Sequence, residues 1–349
     1  FKNKLDINIM NLLLIGYCHL ADGFLYASNS LKNRGYNIYL FPYWNYILDN
    51  KDKNEIINDF KESIIKNNIN ICLWWNNSIK YEIFIEMFDK KLINILYNWD
   101  PCLLHYDKYN CFYWKDIVDL KKNIYKNMNL IFTCFQKEID YFKNYNIYYA
   151  SPGFDKSVSK YVFDKNYECD ISIVCTNFYS NNNEFPNNTT NIARFEVVDK
   201  LYENRDKFIF HIYGPENIKD RYPDCYKRFV KYEECNLIFS NSKINLSIHP
   251  LVNELNDFNS EYEYFSERLP QILGSHGLLV TNSNLNNILK KDIDYVFIDK
   301  NTDFIDKFYN IINNNKDYDQ IRKNGYNKAI EYYQWDKWGE IIDKKIKNL

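Results

Sequence analysis

"SERLPQILGSHGLLVTN" (266–282) sets two opposite charges, a proline and a Gly-Ser-His-Gly break around an apolar run, ahead of a strand-like "LLVT". Proline is tolerated in a helix only within about the first turn, where amide hydrogens lack partners anyway. A helix must therefore begin close to Ser266, a good N-cap residue, and Glu267 suits the positive end of its dipole. Gly274, Ser275, His276 and Gly277 end that helix early, and "LLVT" then enters a sheet as a buried strand. In a doubly wound sheet the loop from a strand's carboxyl end to the next helix lies on the ligand-binding edge, and amides at the helix start attract anions. That loop is 251–265, and Arg268 can offer its fork of donors to a phosphate. From charge alone, a surface arginine paired with Glu267 or Glu263 is an equal alternative.

The rest of the chain fits such sheets. Strand-like runs alternate with amphipathic stretches: 8–16, 36–41, 70–75, 93–98, 129–134 and 147–150, then, after the turn "SPGFD" (151–155), 170–175, 208–214, 244–250 and 295–298. This alternation argues for parallel βα units rather than a sandwich or a bundle. The expected architecture is α/β: two successive Rossmann-like, doubly wound parallel-sheet halves and a helical tail within 302–347. Expected boundaries are 1–153, 154–330 and a terminal helix, 331–349, packing back on the first half.

Composition bounds the function. A chain of 349 residues exceeds one typical core. With 32 Tyr and 24 Phe, its 46 % hydrophobic content leaves no case for disorder. The net charge of -2, without a clustered basic face, speaks against nucleic acid as a partner. Nine cysteines lie scattered in apolar runs without metal spacing, as expected of reduced thiols in the cytoplasm. No apolar run is long enough to span a bilayer. The first Met stands at position 10, which is expected of a piece of a longer polypeptide.

The extended stretch "SERLPQILGSHGLLVTNSN" (266–284) resembles the donor-site signature of GT-B glycosyltransferases, closest to the spore-maturation-type group, whose pattern is Arg-x-x-Glu-Ala-x-Ala-x-Gly-Gly before an apolar strand. Arg268 matches the Arg, Gln271 falls where the Glu belongs, His276 replaces the first Gly and Gly277 matches the second. "CDISIVCTN" (169–177), "SKINLSIHP" (242–250) and "IRKNGYNKAIEYYQWDKW" (321–338) resemble further segments of that family, in order. The resemblance implies two domains facing a cleft, with a nucleoside-diphosphate sugar held by the second and a hydroxyl acceptor, such as a glycan, chosen by the first. It implies no cofactor and no metal. Glu263 and Gln271 have the spacing of a glutamate pair found in many retaining members, where the second carboxylate holds the ribose. Gln keeps one acceptor for a ribose hydroxyl but cannot accept from both hydroxyls as a carboxylate would.

Other candidates take their places from the same fold. His19 and Asp22 follow the first strand and are candidate bases for an inverting transfer, Asp22 also being a helix cap. Asp100, before Pro101 in "YNWDP" (97–101), is either a third candidate base or a turn residue. In "HIYGPEN" (211–217), Gly214 permits close approach of the backbone to a nucleotide, unless it serves a plain Gly-Pro turn. Tyr232 is placed to line a base pocket, and His249 ends the strand feeding the donor loop. A glycosyltransferase is the leading expectation; a nucleotide- or glycan-binding module without turnover, and a nucleotide-sugar epimerase, are the alternatives.

Overall fold

The computed structural model describes residues 10–16, 23–75, 81–98, 122–175, 197–248, 266–283, 285, 288–298 and 303–349. They form two compact units, Phe1–Pro152 with Trp335–Leu349, and Gly153–Gln334.

In the first unit, β1 (Met10–Ile15), β2 (Tyr36–Phe41), β3 (Ile71–Trp75), β4 (Ile93–Asn98), β5 (Leu130–Thr133) and β6 (Ile147–Tyr149) make one sheet in the order β2-β1-β3-β4-β5-β6. Every pairing is parallel. Strands covered on both faces need apolar residues at successive positions rather than alternate ones, and "ICLWW" of β3 is buried throughout. Helix α1 (Gly23–Lys32) returns the chain to β2 through Gly35, whose φ of +93° suits a residue without Cβ. Helices α2 (Tyr43–Leu48), α3 (Lys53–Lys66), α4 (Tyr81–Met87) and α5 (Gln136–Tyr141) fill later connections.

The second unit holds β7 (Cys169–Val174), β8 (Phe210–Tyr213), β9 (Ser242–Ser247), β10 (Leu279–Thr281) and β11 (Val296–Phe297), again wholly parallel, in the order β11-β10-β9-β7-β8. Its helices are α6 (Cys235–Asn241), α7 (Arg268–Gly274), α8 (Phe304–Asn313) and α9 (Asp319–Tyr332), with a further helical segment at 197–203. All eleven strand-like runs are thus strands. In each unit the first strand lies between the second and the third, so strand order reverses beside it; ligands of open α/β sheets bind outside the carboxyl ends at this switch point. Gly16 stands there in the first unit: its φ is +115°, and a Cβ would meet the Trp75 carbonyl at 2.6 Å.

The last helix, α10 (Trp335–Ile346), belongs to the first unit. Trp335 and Trp338 pack around Trp75, with ring centroids 5.9 and 5.6 Å away. Arg34 ties α1 to α10 by donating to the Asp336 carboxylate at 2.7 Å and to its carbonyl at 2.8 Å. Tyr36 donates to Asp343 at 2.9 Å, and burial together with that carboxylate pushes its phenol pKa up.

Candidate functional site

The clearest site is built at the carboxyl end of β7. Helix α7 begins at Arg268, and Arg268 Nη1 donates to the carbonyl of Val174, the last residue of β7, at 2.7 Å. Its Nε points at Ser266 Oγ, 3.4 Å away. No carboxylate among the described residues forms an ion pair with Arg268, so the surface-pair alternative finds no support from Glu267; Glu263 lies outside the described residues. A guanidinium is thereby held at the switch point of the second sheet with donors to spare.

The start of α7 differs from the expectation in two ways. Ser266 does not cap the helix: Glu267, at φ −53° and ψ −25°, is the N-cap residue and no side chain caps it. Glu267 already has helical torsions, and the Ser266 hydroxyl is turned to Arg268 instead. Nor is the first turn a row of open amides. Leu269 N–H donates to Ser266 O at 3.0 Å, Gln271 N–H to Glu267 O at 3.3 Å, and Pro270 has no N–H. At the start of α7 it is the arginine fork, rather than a row of helix amides, that can offer donors to an anion.

The end of α7 follows the sequence closely. Gly277 N–H donates to Ile272 O at 2.9 Å and His276 N–H to Leu273 O at 3.0 Å, the paired bonds of a Schellman cap. The left-handed position of that cap is His276, at φ +58°, and its ring stacks on Tyr326 with centroids 3.7 Å apart. Gly277 has no room for a side chain, since a Cβ would lie 2.6 Å from Asn245 Nδ2 and 2.9 Å from Phe239 O. Gln271 is largely buried, at 5 % exposed.

The connection from β8 to α6 borders the same place. Val174, Val230, Cys235 and Leu269 share one apolar cluster. Burial pushes the Cys235 thiol up to about 12, with Glu267 and Arg268 close enough to act on it. Gly214 lies directly after β8, where its missing Cβ would meet Ile218 Cδ1 at 2.6 Å and Cys175 O at 2.8 Å. Its N–H donates to Arg228 O at 3.0 Å. Close packing against the end of β7 thus accounts for this glycine. Tyr232 opens a short 3-10 turn ahead of α6 and is partly buried.

Of the remaining candidates, His19, Asp22, Asp100, His249 and Glu263 lie outside the described residues. His19 and Asp22 belong to the segment leaving β1 at the first sheet's switch point, and Asp100 comes two positions after the end of β4. At that edge the sequence reading missed Glu138. It is fully buried in the first turn of α5, where it accepts from Thr133 Oγ1 at 2.7 Å and from Asn98 Nδ2, joining the carboxyl ends of β4 and β5. A carboxylate shortly after the strand-ending Thr133 was the only signal for it.

Residues 194–343 match the family described as "Glycosyl transferase-like". The sequence has no match among curated proteins. Among solved structures, sucrose-phosphate synthase from Thermosynechococcus elongatus superposes with a TM-score of 0.70 at 9 % identity, over 97 % of this chain and 98 % of that one. The chain has the GT-B fold, with a glycosyl transferase-like match over residues 194–343. An alpha-glucosyltransferase solved with UDP and DNA gives a TM-score of 0.63 at 9 % identity, and Anabaena HepE solved with UDP-glucose 0.64 at 9 %; each alignment covers 97 % of this chain and 100 % of its counterpart. None of these likenesses singles out the spore-maturation-type group. No helix among the described residues is long and apolar enough to cross a membrane.

Proposed function

We propose that the protein transfers a sugar from a nucleoside-diphosphate donor, bound by the second unit, to a hydroxyl acceptor chosen by the first. The observation that carries this reading is Arg268 anchored on the Val174 carbonyl at 2.7 Å, at the switch point of a parallel sheet. A guanidinium there meets the diphosphate and stabilises it as it leaves, without a metal. Glu263 would lie near the donor sugar, and the largely buried Gln271 would accept from a ribose hydroxyl. Tyr232 would line the base, and His249 would end the strand feeding the donor loop.

His19, Asp22 and Asp100 are the bases to consider if the transfer inverts; the spacing of Glu263 and Gln271 leans to retention. Two similar structures hold UDP or UDP-glucose, so uridine diphosphate sugars are the donors to try first. A cytoplasmic setting belongs to the same reading, since Cys72, Cys169, Cys225 and Cys235 are buried thiols.

Gln271 in a carboxylate's place favours a second reading, a nucleotide-binding module without turnover. A thermal-shift screen of nucleotide sugars, followed by product analysis with and without hydroxyl acceptors, separates the two. Sugar transferred to an acceptor supports the enzyme; tight binding without turnover across the panel supports the module; an epimerised donor with no acceptor present overturns the transferase reading.

A further inference from the structure

The chain between β8 and α6 is shaped by side chains more than by regular structure. After a 3-10 turn at Glu216–Asp220 it runs parallel beside β8: Ile212 N–H donates to Cys225 O at 2.9 Å, Lys227 N–H to Ile212 O at 2.9 Å, and Gly214 N–H to Arg228 O at 3.0 Å. Beyond Arg228 the ladder stops, and residues 229–233 form a loop whose two feet are joined. Arg228 Nη2 donates to Glu234 Oε1 at 2.7 Å and Nη1 to Glu234 Oε2 at 3.2 Å, a two-pronged pair. The same guanidinium donates to Phe229 O and to Tyr167 Oη, each at 3.1 Å, and Glu234 Oε2 also accepts from Lys231 N–H at 3.1 Å.

With side chains 45 % and 34 % exposed, an isolated pair of this kind would add little to global stability. Five connected hydrogen bonds with planar geometry instead fix the shape of one loop. The loop's Val230 is buried in the same apolar cluster as Val174 at the end of β7, Leu269 at the start of α7, and Cys235. Cys235, directly after the brace, lies close enough to Arg268 for that cation to act on its thiol.

We infer that Arg228 and Glu234 are positioning residues for the nucleoside end of the donor, their brace holding the 229–233 loop, with Tyr232, beside the point where Arg268 takes the diphosphate. The inference rests on the donor-site reading above. A nucleoside diphosphate reaches both the loop and Arg268, whereas inorganic pyrophosphate reaches only Arg268, so the two probes divide the site.

The test is calorimetry on the full chain with pyrophosphate and with UDP, GDP and ADP, using wild type, Glu234→Gln, Arg228→Lys and the exchanged double variant Arg228→Glu/Glu234→Arg, with thermal melts in parallel. Expected is an approximately tenfold weaker affinity of Glu234→Gln for the preferred nucleoside diphosphate, with pyrophosphate affinity within about twofold of wild type and partial recovery in the exchanged variant. Equal losses for both probes would make the brace a general structural support and overturn the inference, as would an unchanged ratio. Should Glu234→Gln fail to fold, Arg228→Lys, which keeps the charge and loses the fork, gives the same comparison. Wild type that binds neither probe would overturn the donor-site reading itself; wild-type binding with an unchanged ratio in the variants overturns this inference alone.

Discussion

His276 sets two comparable energies against each other. Its φ of +58° places a Cβ-bearing residue in the left-handed region, at a cost of roughly 1–2 kcal/mol that glycine escapes. Its ring lies 3.7 Å from the Tyr326 centroid at an interplanar angle of 22°, a contact worth about 0.5–1.5 kcal/mol. His276→Gly trades one for the other and should leave stability within about 1 kcal/mol of wild type. His276→Ala loses the ring and keeps the strain, so it should fall below the glycine variant by about 1 kcal/mol. In a Tyr326→Ala background most of the cost of His276→Ala should vanish, because the stacking partner is already gone. The assay is urea unfolding followed by amide exchange within 268–281, which reports on the second unit by itself. An alanine variant as stable as the glycine variant would refute the strain argument, and an unchanged cost without Tyr326 would refute the stacking argument.

Other outcomes follow from the same geometry. Gln271→Glu should tighten nucleoside diphosphate binding severalfold, since a carboxylate accepts from both ribose hydroxyls; calorimetry showing weaker binding would count against the ribose assignment. Burial, reinforced by Lys227, lowers the His211 pKa to about 4, below the value near 6.5 of an unfolded chain, so its contribution to stability is complete above about pH 6.5 and lost as the pH falls toward 4. Discounted for partial exposure, this amounts to about 1–2 kcal/mol, and His211→Phe should flatten the acid side of a melting curve by that amount. Ending the chain at Gln334 removes Trp335, Trp338, Ile342 and Ile346, none more than 4 % exposed. At about 1.5–3 kcal/mol each, the loss of roughly 6–12 kcal/mol rivals the whole stability of a domain. The first unit should then lack a cooperative transition by near-UV circular dichroism.

The strands were legible because a parallel sheet covered on both faces demands continuous apolar runs, and "NLLLI" and "ICLWW" admit few other places. The end of α7 was legible too, since Gly277 is required where the chain closes on Asn245 and Phe239. The start of α7 was not. Nothing local says that the Ser266 hydroxyl turns to Arg268, or that Glu267 already has helical torsions. Strand order and partners distant in sequence were equally hidden. Glu138 and Asn98 are far apart along the chain and meet only because β4 and β5 are neighbours. The Arg228–Glu234 brace spans few residues, but nothing local says that Val230 joins the apolar cluster of Val174 and Leu269.

Binding of a donor diphosphate at the carboxyl end of β7 through Arg268 is read out by calorimetry of UDP against wild type and Arg268→Ala. Charge-assisted hydrogen bonds of about 1.5–3 kcal/mol predict a loss of affinity of roughly 10- to 150-fold, with Arg268→Lys between the two. UDP binding to Arg268→Ala with wild-type affinity would contradict the account.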